Sequence, residues 1–327
     1  MRIHPLSEIE FVFRNFPYNE NQGFYQSPMW AGLASMVGFE PELWVADDRS
    51  WANLVLKGHV PASLRRIPVI PSLFAMASQK MGICSWQDGP VCFRGNCEEA
   101  LHEIVKQAQS KKLYLRNCTL PVGIPEMEVP GIDLEEAFTL IVPLNKTREE
   151  AYASITKKGR KSVRAAIEKG VEARRISSEA ELKEYHAILE AWRRHLGFSR
   201  PDFGALKKQW DYLNGKDSME VFMAYWKGEP MAAMGVVHYN GNAIEVMSAQ
   251  SQTNYGENLF AGDLIKWKII EWGVERGMRS YDLGGINPNP ETQKEKNILQ
   301  FKSKWGGELA RKYKFSKNFA GMPIFGK

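Results

Sequence analysis

Apolar residues follow two rhythms along this chain. In its second half they recur at helical spacing through Leu182, Tyr185, Leu189 and Trp192, and again through Leu264, Ile265, Ile269 and Trp272. These stripes predict amphipathic helices near Glu179 to His195 and near Asn258 to Arg276. Between them, Met219 to Trp226, Pro230 to His238 and Ala243 to Ala249 read as three strands. The turn signals Lys227-Gly228 and Asn240-Gly241-Asn242 join them into an antiparallel meander. A helix from residue 147, a short strand Val171 to Ile176 and a helix near Phe203 to Leu213 complete the approach, and Arg279 to Leu283 returns as a strand. The first half reads as a helix near Pro28 to Met36 and strands around Leu43 to Ala46, Ala52 to Val60 and Ser63 to Ile70. A strand pair through Ile83 to Phe93, a helix from Cys97 to Gln109 and strands Leu113 to Cys118 and Phe138 to Leu144 follow.

With 327 residues the chain is long for one core. The element pattern places a domain boundary near residue 140. The apolar fraction of 44% is that of a packed globular protein, so disorder is not expected. The N-terminus lacks an apolar leader and no run approaches a spanning helix, so a cytoplasmic protein is expected. Cys84, Cys92, Cys97 and Cys118 form no Cys-x-x-Cys pair and none has the histidine partners a zinc site would need, so they read as reduced structural thiols rather than a metal site. Net charge is +5, with Lys157, Lys158, Arg160, Lys161, Arg164, Lys169, Arg174 and Arg175 crowded together. That cluster suits a polyanion such as tRNA, although a solvated helix face has the same composition.

The segment from Tyr281 to Leu309 carries the candidate chemistry. Tyr281-Asp282-Leu283 reads as a strand ending in Gly284-Gly285, a tight turn whose bare backbone admits a ligand, and Asn287-Pro288-Asn289-Pro290 forbids continuation. Ile298, Phe301 and Trp305 fall on one helical face, so Lys302 is expected beside an anchored apolar edge with its charge projected outward. Neither a Gly-x-x-x-x-Gly-Lys-Ser/Thr loop, a dinucleotide glycine fingerprint nor Gly-x-Ser-x-Gly occurs, and the histidines suggest no metal. Trp192, Trp267 and Trp272 read as core residues, and Tyr255 as a substrate-facing aromatic.

Helices, then a meander, then helix and strand resembles the layout of a GNAT-like acyltransferase domain. The expected fold is therefore α+β with a mixed sheet, in two GNAT-like domains of which the first is degenerate. Several segments together also resemble the Fem family of non-ribosomal peptidyltransferases, which move an amino acid from aminoacyl-tRNA onto a peptidoglycan precursor. They are Gln26-Ser27-Pro28-Met29-Trp30-Ala31, Lys157 to Arg164 with Gly170-Val171-Glu172, Arg200-Pro201, Tyr281 to Gly285 and Phe301-Lys302. The resemblance implies domains 1–140 and 141–310 with a tail, 311–327, packed back on the first, Lys302 at the reaction centre, and Arg200 on the nucleotide part of the acceptor. It implies no cofactor, aminoacyl-tRNA as donor, and a peptide or cell-wall precursor, lipid-linked or not, as acceptor in the groove between domains. DNA is not a partner, and peripheral membrane contact is compatible with this reading. Gly32 and Ala34 stand where the family has phosphate-binding lysines, Gly204 replaces a tyrosine, and Leu259 and Phe260 fall in its tyrosine-rich stretch, so the acceptor is expected to differ.

Asp282 is a candidate base. Tyr255, Asn258, Gly284, Gly285 and Asn287 are candidate substrate contacts, and Arg160, Lys161 and Arg164 candidate tRNA contacts. Two other classes stay open. A CoA-dependent N-acyltransferase would need a glycine-rich pyrophosphate loop where this chain has Gln252 to Leu259 with Gly256 alone. A non-catalytic RNA- or anion-binding module would tolerate loss of Lys302.

Overall fold

The computed structural model describes residues 1–58 and 82–321. The expected strand Ser63 to Ile70 lies outside them. The chain splits into two compact units, Met1–Ala137 with Arg311–Lys327, and Phe138–Ala310.

The first unit contains β1 (Arg2–Pro5), α1 (Leu6–Arg14), α2 (Pro28–Met36), β2 (Glu40–Val45), β3 (Trp51–Lys57), β4 (Ile83–Ser85), β5 (Val91–Cys92), α3 (Cys97–Ser110) and β6 (Tyr114–Thr119). Its sheet has the order β1-β2-β3-β4-β6, closed by β13 (Glu308–Asn318) against β6. All neighbours are antiparallel except β4 and β6. The expected strand pair through Ile83 to Phe93 is corrected here, because β4 and β5 each pair with β3 and not with one another. Helix α1, which the sequence reading passed over, buries Ile9 and Phe13 against Leu43, Val45 and Leu54. Helix α3 lays Ala100, Leu101, Ile104 and Ala108 on a core that includes Trp44, Trp86, Tyr313 and Phe315.

The second unit runs from β7 (Glu135–Pro143) through α4 (Arg148–Ser154), α5 (Lys157–Glu168), β8 (Val171–Arg175), α6 (Glu179–His195) and α7 (Phe203–Asn214). The meander β9 (Met219–Trp226), β10 (Glu229–Tyr239) and β11 (Asn242–Gln250) follows, then α8 (Gln252–Gly256), α9 (Ala261–Glu275), β12 (Ser280–Ile286) and α10 (Gln293–Lys302). The order is β8-β9-β10-β11-β12-β7. Only β11 and β12 run parallel; the other neighbours are antiparallel. Each unit thus carries an antiparallel series, one parallel pair and an antiparallel closing strand, with a helix leading into the second parallel strand. That is the repeated GNAT-like α+β layout.

The long helix expected near 258–276 begins later, at Ala261. Asn258 and Phe260 both take positive φ, +50° and +56°, which ends the one-turn α8 and sets a new axis for α9. Helix α9 is buried nearly all round, with Leu264, Ile265, Trp267, Ile269, Ile270 and Trp272 in the core. It fills the centre of this unit rather than lying on it. Among the described residues no helix is long and apolar enough to cross a membrane.

Candidate active site

The parallel ladder between β11 and β12 is short. It pairs Asn242 with Ser280, Ala243 with Tyr281 and Ile244 with Asp282, then stops, although β11 continues to Gln250 and β12 to Ile286. Beyond that point β11 stays with β10, through a register shift that leaves Val246 unpaired, and β12 stays with β7, through a second shift between Asp282 and Gly285. Two strands that part company leave a wedge with exposed backbone, and bulges at such places re-aim side chains.

The Gly284-Gly285 pair lies inside β12, with Gly284 in its bulge and Gly285 back in register opposite Thr139, which corrects the expected turn after Leu283. Gly284 sits at φ +80°, a conformation glycine takes without strain. The Asp282 Oδ1 atom accepts the Gly284 N–H at 2.7 Å and also the hydroxyl of buried Thr139. Asp282 is therefore committed to holding the bulge, as an Asx-type cap does.

Lys302 ends α10, a helix whose capping box joins Thr292 and Glu295. Phe301 packs edge-on to buried Trp305 at 6.1 Å and anchors this end. The Lys302 amine does not project outward as expected; it turns in and donates to the Gly285 carbonyl at 2.8 Å. Burial holds it below the ordinary lysine range, and Asp282 opposes that shift. One of its three N–H groups is thus used, leaving two for a ligand.

Behind the wedge lies a cluster that the sequence reading missed. Lys266 of α9 is 0% exposed; its ammonium donates to Glu245 on β11 and, at 3.2 Å, to the hydroxyl of Tyr281 on β12. That hydroxyl donates to Glu245 at 2.8 Å. Lys266 lies 5.6 Å from the Phe301 ring centre. Burial, and then the charge of Lys302, pull Lys266 well below the ordinary lysine range. The signal was available: apolar residues occupy so much of the circumference of α9 that no face remains on which Lys266 could be solvated.

Other predicted residues have other surroundings. Tyr255 is 49% exposed and stacks on partly buried Trp192 at 6.1 Å and 23°, so Trp192 is not the fully buried core residue expected, unlike Trp267 and Trp272. Exposed Arg200 pairs with Glu190 at 3.0 Å, which also holds Arg194. Asn258 offers its carbonyl to Lys169 at 3.1 Å, and Asn287 donates to Glu295 at 3.2 Å. Arg160 is consumed by the carbonyls of Ala153 and Ile155. Lys169, Arg174 and Arg175 likewise have partners in Glu257, Glu181 and Glu220. Lys157, Lys161 and Arg164 remain exposed, at i, i+4 and i+7 of α5, and form one cationic stripe.

The start of α9 is filled from within. Buried Asn254 accepts the Ala261 N–H at 3.0 Å, and Asp263 occupies the first turn, paired with Lys304 at 2.5 Å. Among the described residues Asp217, Glu220 and His238 could approach a metal together. Arg276 already pairs with Asp217, and Arg175 with Glu220 at 2.9 Å, so these carboxylates have cationic partners.

Comparison with known proteins gives consistent likenesses. The Acetyltransferase (GNAT) domain family matches residues 156–297. The Lipid II:glycine glycyltransferase of Staphylococcus haemolyticus (strain JCSC1435) is 19% identical, over 89% of this chain and 87% of that protein. A crystal structure of FemX superposes with a TM-score of 0.67 at 15% identity, covering 96% of this chain and 97% of that one. The C-terminal domain (DUF2156) of a protein named as a lysylphosphatidylglycerol synthetase from Agrobacterium fabrum gives a TM-score of 0.58 at 12% identity, covering 96% and 90%. The GNAT-domain match spans Lys157 to Arg164 and Tyr281 to Gly285, and the chain is similar to GNAT-fold transferases of the Fem type.

Proposed function

We propose that this protein transfers an amino acid from aminoacyl-tRNA to an amine of a cell-wall precursor peptide. The acceptor nitrogen attacks the ester carbonyl carbon, the carbon–oxygen bond to the ribose breaks, and the proton lost by the amine ends on the ribose oxygen. The ester is already activated, so the chain needs to supply position and charge rather than nucleotide hydrolysis. Lys302 meets that need, with its amine fixed on the Gly285 carbonyl and two N–H groups left for the developing oxyanion. The stripe Lys157, Lys161 and Arg164 suits the phosphates of tRNA. Arg200, Tyr255 with Trp192, and the loop around Asn287 are the surfaces assigned to substrate.

The observation that carries this reading over a CoA-dependent one is the start of α9. A pyrophosphate at a helix N-terminus needs open N–H groups and no local anion. Here Asn254 takes the Ala261 N–H and Asp263 stands in the first turn. The name of the glycyltransferase relative supports an aminoacyl group and a lipid II-type acceptor, and the FemX neighbour supports the fold. The test is salt-dependent binding to a mixed aminoacyl-tRNA pool with acetyl-CoA in parallel. Salt-sensitive retention of a charged subset with no response to CoA is expected; CoA binding without tRNA binding would replace this reading with acyl transfer.

A further inference from the structure

We propose that Glu245 is a specificity-determining residue, whose carboxylate receives the α-ammonium of the donor's aminoacyl group. This assignment rests on the aminoacyl reading above and names how the wedge would tell an aminoacyl from a plain acyl group.

The first ground is position. Glu245 is the residue after Ile244, the last on β11 to pair with β12, so it stands where the strands separate. It is also beside the irregularity at Val246, which changes its register against β10. The second ground is how the cluster is closed. Lys266 and Tyr281 are 0% exposed, whereas the Glu245 side chain is 14% exposed, so of the three Glu245 alone meets solvent. The third ground is the division of its oxygens. Both Lys266 and Tyr281 donate to Oε2, and Oε1 has no hydrogen-bond partner among the described residues. The carboxylate is therefore anchored through one oxygen, with the other open to a ligand.

The chemistry of the donor fits that arrangement. An aminoacyl ester carries its ammonium two bonds from the carbonyl carbon, whereas an acetyl group carries no charge there. A site with a cation for the carbonyl oxygen and an anchored anion nearby reads that difference. Lys302 is the cation, and it lies close enough to the cluster for its charge to depress Lys266. Phe301, the neighbour of Lys302, covers Lys266.

The experiment compares binding of the mixed aminoacyl-tRNA pool with that of the same pool N-acetylated, at pH 6.5, where an α-amino group is charged. It uses the wild-type chain, Glu245→Gln, and the double variant Glu245→Gln with Lys266→Met, which removes both buried charges together and preserves packing. The wild type is expected to prefer the free-amino pool by about tenfold or more, the range of a charge-assisted hydrogen bond. Both variants are expected to bring that ratio near one while still binding the N-acetylated pool as the wild type does. A ratio unchanged in the folded variants, or no preference in a wild type that binds both pools, would overturn the assignment and leave the aminoacyl reading standing. Binding of neither pool by the wild type would overturn both.

Discussion

The amine of Lys302 donates to the carbonyl of Gly285 at 2.8 Å, across the bulge that Gly284 and Asp282 build into β12. Phe301 fixes the helix end, the bulge fixes the carbonyl, and the cation between them has little freedom. This arrangement separates the roles of the two candidate catalytic residues. Lys302→Ala is expected to lower aminoacyl transfer by about 100-fold or more without altering tRNA affinity, as loss of one oxyanion donor does elsewhere. Asp282→Asn retains an acceptor for the Gly284 N–H and is expected to cost less than about tenfold. Single-turnover rates of both variants check this; a larger loss in Asp282→Asn would make that residue a base.

Gly284 and Gly306 resist substitution for different reasons. At Gly284 an added Cβ would lie 3.5 Å from the Lys302 amine, an ordinary contact distance, so φ +80° is the obstacle. Gly284→Ala is expected to cost about 1–2 kcal/mol. At Gly306, φ is +71° and the Cβ would meet the Ser154 carbonyl oxygen at 2.6 Å. Gly306→Ala should therefore lower the thermal midpoint further than Gly284→Ala does. Paired melting curves decide the order.

His238 gives a pH dependence with a definite sign. Its ring is buried against Trp272 and its Nε2 has no partner among the described residues; burial lowers its pKa from 6.5 to about 4, with Asp217 opposing and Arg276 assisting. Between those values the unfolded chain binds more protons, so this group removes stability as pH falls from 6.5 to 4, by about 3 kcal/mol. Urea unfolding at the two ends of that range should differ less in His238→Leu than in the wild type. An equal difference would show that the ring does not titrate as described.

The cysteines should differ in reactivity. Cys84 and Cys118 are buried; burial raises the Cys84 thiol to about 12 and the Cys118 thiol well above its usual range. The Cys92 and Cys97 sulfurs are 3.0 Å apart, and that hydrogen bond lowers Cys97. Alkylation of the native protein followed by peptide mass analysis is expected to modify Cys97 first, and Cys84 and Cys118 only after unfolding.

Most of the second unit was legible because its periodicities are local. The stripe through Leu182, Tyr185 and Leu189 and the Asn240-Gly241 turn specify their elements without help from distant residues. The Gly284-Gly285 bulge was misread as a turn because its register is set by β7, far away in the chain. The family motif singled out Lys302, but the direction of its side chain depends on a carbonyl that the helix pattern does not contain. Glu245 and Lys266 stayed hidden for a related reason. A lone Lys inside an apolar helix and a lone Glu inside a strand become a pair only once α9 and β11 pack together. The basic run illustrates the converse, since half of its eight cations are engaged by partners in the fold and α5 keeps the exposed stripe.

That stripe predicts a salt effect. Charge reversal of Lys157, Lys161 and Arg164 together is expected to weaken tRNA binding and to reduce the slope of log affinity against log salt by about two to three. An unchanged slope would remove α5 from the tRNA surface.

The most direct test of the central claim supplies purified protein with labelled aminoacyl-tRNA and an amine-bearing cell-wall precursor peptide, against labelled acetyl-CoA with the same acceptor. The account predicts amide-linked label on the peptide from aminoacyl-tRNA, its loss in Lys302→Ala, and no transfer from acetyl-CoA. Acetylation of the peptide with aminoacyl-tRNA left untouched would contradict it.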